Sequence, residues 1–273
     1  MTRYIAAYDT EHIDLCLPAA EQLVALHRKH EVPATFFIVG KLLEKHGPAF
    51  RKLLDDPLFD VQSHSYSHRM LRTSPQHGPG ISLEEMEFEV AEGKRLVDEV
   101  FECDSIGFRP GCGFENGFTG APDRLEMFRR HGIKFISADL RGPLGTIPND
   151  MAQPYTYEAD GYGDITEIPG HGWHDNVLKA WTAHATYFPP VYDFALPPRA
   201  PKTVVELFAQ EGRWLEHACE TELGYVSLVQ HPSSIVRFGA GVDPIELLLV
   251  RAKQLGMTFT TYAGYYDELC AGA

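Results

Sequence analysis

Apolar positions along the 273-residue chain fall into short β-rich runs separated by longer stretches with helical spacing, the pattern of strands joined by crossover helices. Residues 3–8 read as a first strand. The next stretch places Pro18 where a first helical turn tolerates it and sets Leu23, Leu26 and His27 on one stripe, so a helix is expected to end near Val32-Pro33. Residues 34–39 predict a second strand, 41–55 a second helix, and 58–63 a third strand with Phe59 and Val61 alternating. Ser82-Leu83-Glu84-Glu85 is a capping box ahead of Met86, Val90, Gly93, Val97 and Val100, which predicts a helix reaching Phe101. Further strands are expected at 105–108, 134–138, 165–168, 225–230 and 257–261, and further helices at 122–131, 203–219 and 243–255.

About seven or eight strands alternating with helices point to a closed or nearly closed β/α barrel, with a doubly wound open sheet as the alternative. Residues 141–164 and 183–201 break the rhythm, and loops of that length commonly shape a site. Neither a repeat nor a linker divides the chain, so residues 1–273 are expected to form a single domain.

Composition changes the picture chiefly by exclusion. Hydrophobic residues at 44% and charged residues at 23% are ordinary for a folded globular protein. With 24 Lys and Arg against 38 Asp and Glu, the formal charge is −14, which repels phosphate backbones and anionic headgroups. No nucleic acid and no membrane partner is therefore expected. No apolar run approaches the roughly 18 residues of a membrane span. The opening Met1-Thr2-Arg3-Tyr4-Ile5 lacks the basic and apolar regions of an export signal, and the five cysteines are odd in number, dispersed and without a C-x-x-C, so a cytoplasmic location is expected.

Candidate chemistry sits at the ends of the expected strands. His64-Ser65-Tyr66-Ser67-His68 follows the third strand and sets two imidazoles four residues apart, on one face if the segment is helical, where both reach one metal ion. Tyr8-Asp9-Thr10-Glu11-His12 ends the first strand, Arg109-Pro110-Gly111-Cys112-Gly113 the fourth, Asp139 the fifth, and Gln230-His231-Pro232 a late one. In a barrel these ends converge on one bowl.

Taken together, these motifs resemble the polysaccharide deacetylase family, carbohydrate esterase family 4, built on the NodB homology domain. The resemblance runs from Asp9 to His231 in the family's order and rests on His64 and His68, Ala34-Thr35-Phe36-Phe37, Phe108-Arg109-Pro110 and Gln230-His231. It implies an irregular (β/α) barrel of about seven strands. It also implies a divalent metal, zinc first, held by His64, His68 and a carboxylate. The common family pattern has adjacent aspartates, whereas this chain reads Asp9-Thr10-Glu11; members with a spacer between the acids imply Asp9 as base and Glu11 as ligand. A metal-free relative is the alternative, since Thr10 is a poor ligand. The resemblance further assigns His231 as general acid, the Cys112 N–H as oxyanion donor and Arg109 as the group that holds Asp9 ionised. It also gives Asp139 the task of orienting His231, although the family's Asp-Trp pair is absent from Asp139-Leu140.

His171-Gly172-Trp173-His174-Asp175 has no counterpart among those motifs and reads either as a plain loop or as a substrate-binding element in which His171, Trp173 and His174 touch the ligand. His27 and His30 read as solvated helix positions. The activity implied is metal-dependent hydrolysis of a carbon–nitrogen amide bond, removing acetyl from an N-acetylated sugar. With a metal and acidic catalytic groups in the bowl, the charge of −14 disfavours strongly acidic substrates and leaves neutral amides preferred. A small linear or cyclic amide, as in allantoinase-like, imidase-like or deformylase-like relatives, is the second reading, and the lack of an export signal favours it. A noncatalytic carbohydrate-binding protein is a third. The partner is thus a small-molecule or carbohydrate substrate, with a homo-oligomer left open.

Overall fold

The structure is a computed structural model that describes residues 1–180, 192–239 and 241–272. The chain runs β1 (Arg3–Tyr4), β2 (Ala6–Thr10), α1 (Cys16–His30), β3 (Ala34–Ile38), α2 (Gly40–Leu54), β4 (Phe59–Ser63), α3 (Leu83–Phe101), β5 (Gly107–Phe108), α4 (Pro122–Arg130) and β6 (Phe135–Ile136). It continues through β7 (Tyr155–Tyr157), β8 (Tyr162–Glu167), β9 (His171–His174), α5 (Asp175–Ala180), α6 (Val204–Glu220), β10 (Tyr225–Val226), β11 (Leu228–Val229), α7 (Pro232–Arg237), α8 (Asp243–Gln254), β12 (Thr258–Phe259) and α9 (Tyr262–Ala271).

A seven-stranded sheet in the order β2-β3-β4-β5-β6-β8-β7 carries the fold, parallel throughout except for the antiparallel edge pair β7–β8. Beyond β8 the chain bends into β9, which pairs in parallel with β11, and β11 leads to a single parallel bridge between Tyr8 of β2 and Gln230. The circuit is therefore that of an irregular barrel, with breaks in the hydrogen-bond ladder where β8 passes to β9 and β11 to β2. The first expected strand is split at Ile5, because its first half pairs with β10 and β12 and its second half with β3.

Alternation along β2 explains its placement of chemistry. Tyr4, Ala6 and Tyr8 pack outward against the helices, in a core that includes Leu23 of α1 and Leu42 of α2, while Ile5 and Ala7 turn inward to join Phe37, Phe135, Tyr225 and Tyr262. Asp9 continues the inward set at the strand's C-terminal end. His27, expected in solvent, is instead fully buried between the Tyr8 hydroxyl and the Val32 carbonyl, and burial pushes its imidazole down to about 4.

The capping box at Ser82 and Glu85 forms as expected, starting α3. This helix then braces the segment after β4. Its Gly93 lies so close that a Cβ would stand 2.6 Å from the Ser65 carbonyl carbon and 2.8 Å from the Tyr66 nitrogen. One turn earlier the Glu89 carbonyl accepts from the Tyr66 N–H at 2.9 Å, and the buried Glu89 carboxylate accepts from the Ser67 N–H at 2.7 Å and from the Ser67 hydroxyl. Elements missed by periodicity are short or atypical. Strand β7 lies in the expected loop 141–164, α5 and α7 have six residues each, and α9 opens on Tyr262-Ala263-Gly264, which carries no helical signal. Of the second irregular segment, residues 183–191 lie outside the described residues.

Gly93→Ala is expected to destabilise the protein by about 1–3 kcal/mol, because backbone rather than a flexible side chain must move to admit the methyl group. Calorimetry should show a lowered Tm; an unchanged Tm would mean that α3 does not hold the 64–68 segment by close approach.

Candidate active site

The segment from His64 to His68 is irregular rather than helical. Ser65 and His68 adopt left-handed backbone angles (φ 64° and 61°), and it is this turn that brings the two rings together, with centroids 5.0 Å apart. Gly111 makes room for His68, since a Cβ there would approach the imidazole to 3.0 Å. The Nδ1 of His64 bonds the Arg109 carbonyl at 2.8 Å, which makes Nδ1 the protonated nitrogen and leaves Nε2 as a lone pair. That Nε2 is buried and without a hydrogen-bond partner among the described residues. Glu11 completes the group, with Oε2 at 2.7 Å from His68 Nε2 and 3.8 Å from His64 Nε2. The three ligand atoms lie within 4.8 Å of one another, and these are the residues among those described that could hold a metal ion.

Metal-ligand bonds of 2.0–2.1 Å in tetrahedral geometry need donors about 3.4 Å apart, a value that the two Glu11 distances bracket. An orphaned imidazole nitrogen facing a carboxylate and a second imidazole fits a divalent cation of borderline softness, zinc first. Burial alone would raise the Glu11 carboxyl, but His64 and His68 hold it well below the usual carboxylate range.

Asp9 is 4% exposed and paired with the fully buried Arg109, Nη1 to Oδ1 at 2.6 Å. The guanidinium is fixed on its other edges by the Ser137 hydroxyl at 2.9 Å and the Tyr262 hydroxyl at 2.7 Å, and lies 4.1 Å from the centre of the Phe37 ring. Desolvation pushes the Asp9 carboxyl up, but Arg109, with His64 and His231, outweighs it and keeps it below its ordinary value. Facing Asp9 Oδ2 at 4.0 Å is Nε2 of His231.

His231 is held by Asp175 rather than by Asp139: its Nδ1 lies 2.6 Å from Asp175 Oδ1, and Lys179 backs the same carboxylate at 3.2 Å. Asp139 instead accepts from the Asn116 N–H at 3.1 Å and the Tyr155 hydroxyl at 3.3 Å, and burial together with Asp150 raises it to about 7. The pairing of β9 with β11 is what sets Asp175, the first residue after β9, beside His231, which follows β11. Burial works against a charged His231, but the bond and charge of Asp175 prevail and raise it to about 9. The strand-end rule that singled out Asp139 applies equally to Asp175.

A cavity of about 320 Å³ opens over these groups, lined by Asp9, Glu11, His68, Cys112, His174 and His231 among others. Cys112 has φ 68°, its carbonyl accepts from Arg141 Nε at 2.7 Å, and no described residue takes its amide hydrogen. Of the three residues read as a substrate-binding element, only His174 reaches the cavity. His171 is fully buried, its Nε2 bonded to the Ala152 carbonyl at 2.9 Å and its Nδ1 accepting from the Ser227 N–H at 3.0 Å. Trp173 is 2% exposed in the core, donating to the Ala195 carbonyl at 2.7 Å, so stacking on a ligand is ruled out. Both corrections follow from their place in a strand whose two faces are covered.

Comparison with known proteins bears on the family and the fold. Residues 14–135 match the polysaccharide deacetylase family. The family expected from the motifs is thus the one whose model matches residues 14–135, a little under half of the chain. Among solved structures, a Mycobacterium smegmatis protein assigned as a polysaccharide deacetylase superposes with a TM-score of 0.67 at 17% identity, covering 100% of this chain and 92% of its own. PuuE allantoinase superposes with a TM-score of 0.63 at 13% identity, covering 96% and 87%. A carbohydrate esterase family 4 pseudoenzyme, BA3943 from Bacillus anthracis, gives 0.54 at 12% identity, covering 96% and 64%. At these identities the likeness is one of fold, the NodB-like deacetylase fold. No curated protein matches the sequence significantly.

Replacing Asp175 with Asn removes the charge that raises His231, so the His231 pKa should fall from about 9. If His231 works as an acid, the alkaline limb of kcat/KM should move to lower pH by about one unit or more. A limb that stays in place in Asp175→Asn would detach Asp175 from this role.

Proposed function

We propose that this protein is a metal-dependent hydrolase of carbon–nitrogen amide bonds that removes an acyl group, acetyl first, from an N-acylated substrate. The observation that carries the reading is the buried, unpartnered Nε2 of His64 set against Glu11 and His68, with Asp9 and His231 facing each other alongside. Belonging to the deacetylase and amidohydrolase class is supported by the family match and the fold.

When bound by Glu11, His64 and His68, the metal would polarise the amide carbonyl and acidify water. The chain's own residues account for the proton movements. Asp9, kept ionised by Arg109, takes one proton from the attacking water, whose oxygen bonds to the carbonyl carbon. The Cys112 N–H, which bonds no described residue, is the backbone donor for the negative charge on the former carbonyl oxygen. Protonated His231, steadied by Asp175, gives its proton to the amide nitrogen as the carbon–nitrogen bond breaks, so the products are a carboxylic acid and an amine. His174 lies beside His231, with ring centroids 6.2 Å apart, and burial pushes it down to about 3, so it stays neutral and adds no competing acid.

A small amide as substrate is the second reading, favoured by a cavity at the lower end of small-molecule sites. The noncatalytic reading rested on Asp9-Thr10-Glu11; Glu11 rather than Thr10 stands with His64 and His68, which counts against it.

Elemental analysis of the purified protein is expected to find about one zinc per chain, lost in His64→Ala. Chelation should abolish amine release from a panel of N-acetylated oligosaccharides and small amides, and zinc should restore it. Asp9→Asn and His231→Ala should keep zinc while lowering kcat about 10²- to 10⁴-fold. Zinc-replete protein that releases amine from no member of the panel would leave the noncatalytic reading standing.

A further inference from the structure

One charge in the cavity has no role in the reaction as derived. Arg141 lines the cavity together with Asp9, Glu11 and His231, yet it is only 7% exposed. Its Nε donates to the Cys112 carbonyl at 2.7 Å and its Nη1 to the Gly145 carbonyl at 2.9 Å, the guanidinium also lies against the Cys112 side chain, whose thiol burial keeps neutral, and no oxygen or nitrogen of the described residues bonds Nη2. No carboxylate of the described residues lies within 4.0 Å of it, and residues 181–191, which are not described, contain neither Asp nor Glu. Arg109, the other buried guanidinium of the site, has Asp9 as its counter-ion. A buried cation is normally paired, because the loss of hydration is otherwise uncompensated.

Two further features belong to the same cavity. Asn176 lines the cavity, and its Oδ1 is buried with no hydrogen-bond partner among the described residues. Arg237 adds a second, exposed guanidinium to the lining.

We propose that the substrate carries a carboxylate, and that Arg141 is its counter-ion: the ligand is a small amide with an acidic group, the acyl nitrogen placed at Asp9 and His231 and the carboxylate at Nη2 of Arg141. This rests on the amide-hydrolase reading for the position of the scissile bond, but not for the binding of the anion. Asn176 Oδ1 is the acceptor for a hydroxyl or N–H between the two ends. The overall charge of −14, which favours neutral substrates, does not set the sign in this part of the cavity, where the unpaired charge is positive.

The test is isothermal titration of zinc-replete protein with two matched pairs: N-acetyl-β-alanine against its methylamide, and N-acetylmuramic acid against its methylamide. Each pair differs by a carboxylate, and the two pairs separate an amino-acid-like from a sugar-like source. In at least one pair the acid is expected to bind tenfold or more tightly. Arg141→Gln should erase that difference while leaving the affinity for the neutral partner within about twofold. Equal binding of acid and neutral partner in both pairs overturns the proposal, as does an Arg141→Gln variant that weakens both partners alike, which would make Arg141 a brace for the Cys112 turn. Arg141→Lys, which keeps the charge, should retain part of the preference. Amine release measured on the same samples judges the hydrolase reading separately, since a preference for the acid without turnover would sink that reading and leave Arg141 as an anion site.

Discussion

The buried ion pair between Arg109 and Asp9 is the contact on which the site depends. A guanidinium with no exposure is costly to desolvate, and removing one partner of such a pair typically costs about 3–5 kcal/mol. The fold meets that cost on every edge of the side chain: Asp9 from β2, Ser137 after β6, Tyr262 at the start of α9, and the Phe37 ring from β3. Four separate stretches of chain are thereby tied together through one residue. The same residue's carbonyl fixes the tautomer of His64, so the proposed base and a proposed metal ligand share one support.

Around that centre the structure separates two kinds of imidazole by their partners. His68 lies against the carboxylate of Glu11 and His231 against those of Asp175 and Asp9, so positive charge is stabilised on these two rings, while His64 turns its Nε2 toward Glu11. His171 and His174 have backbone carbonyls as partners at Nε2, and burial drives them down to about 4 and 3. A carboxylate neighbour reverses the effect of burial on a histidine, whereas a carbonyl neighbour does not. This difference of partners, rather than burial itself, divides the candidate chemistry from the core.

Support for the 64–68 segment comes from outside the sheet. Helix α3 contributes no group to the cavity, but its Gly93 and Glu89 hold the backbone of Ser65, Tyr66 and Ser67. Two left-handed residues in five are tolerated because those contacts leave the segment little alternative.

The sequence by itself determined the layout of strands and helices as far as α3, the capping box at Ser82, and the placing of Asp9, Glu11, His64, His68, Arg109 and His231 at strand ends. These are properties of hydrophobic period and chain order, which are local. Only the tertiary structure decided that Asp175 rather than Asp139 holds His231, that His171 and Trp173 belong to the core, and that Arg141 reaches the cavity without a counter-ion among the described residues. Each of these depends on which strand ends become neighbours. Here β9 lies beside β11 because the ladder breaks after β8, and that pairing joins residues 56 positions apart. Periodicity carries no signal for such a break, so the choice of partner for a buried polar group is made only when the circuit of strands is formed.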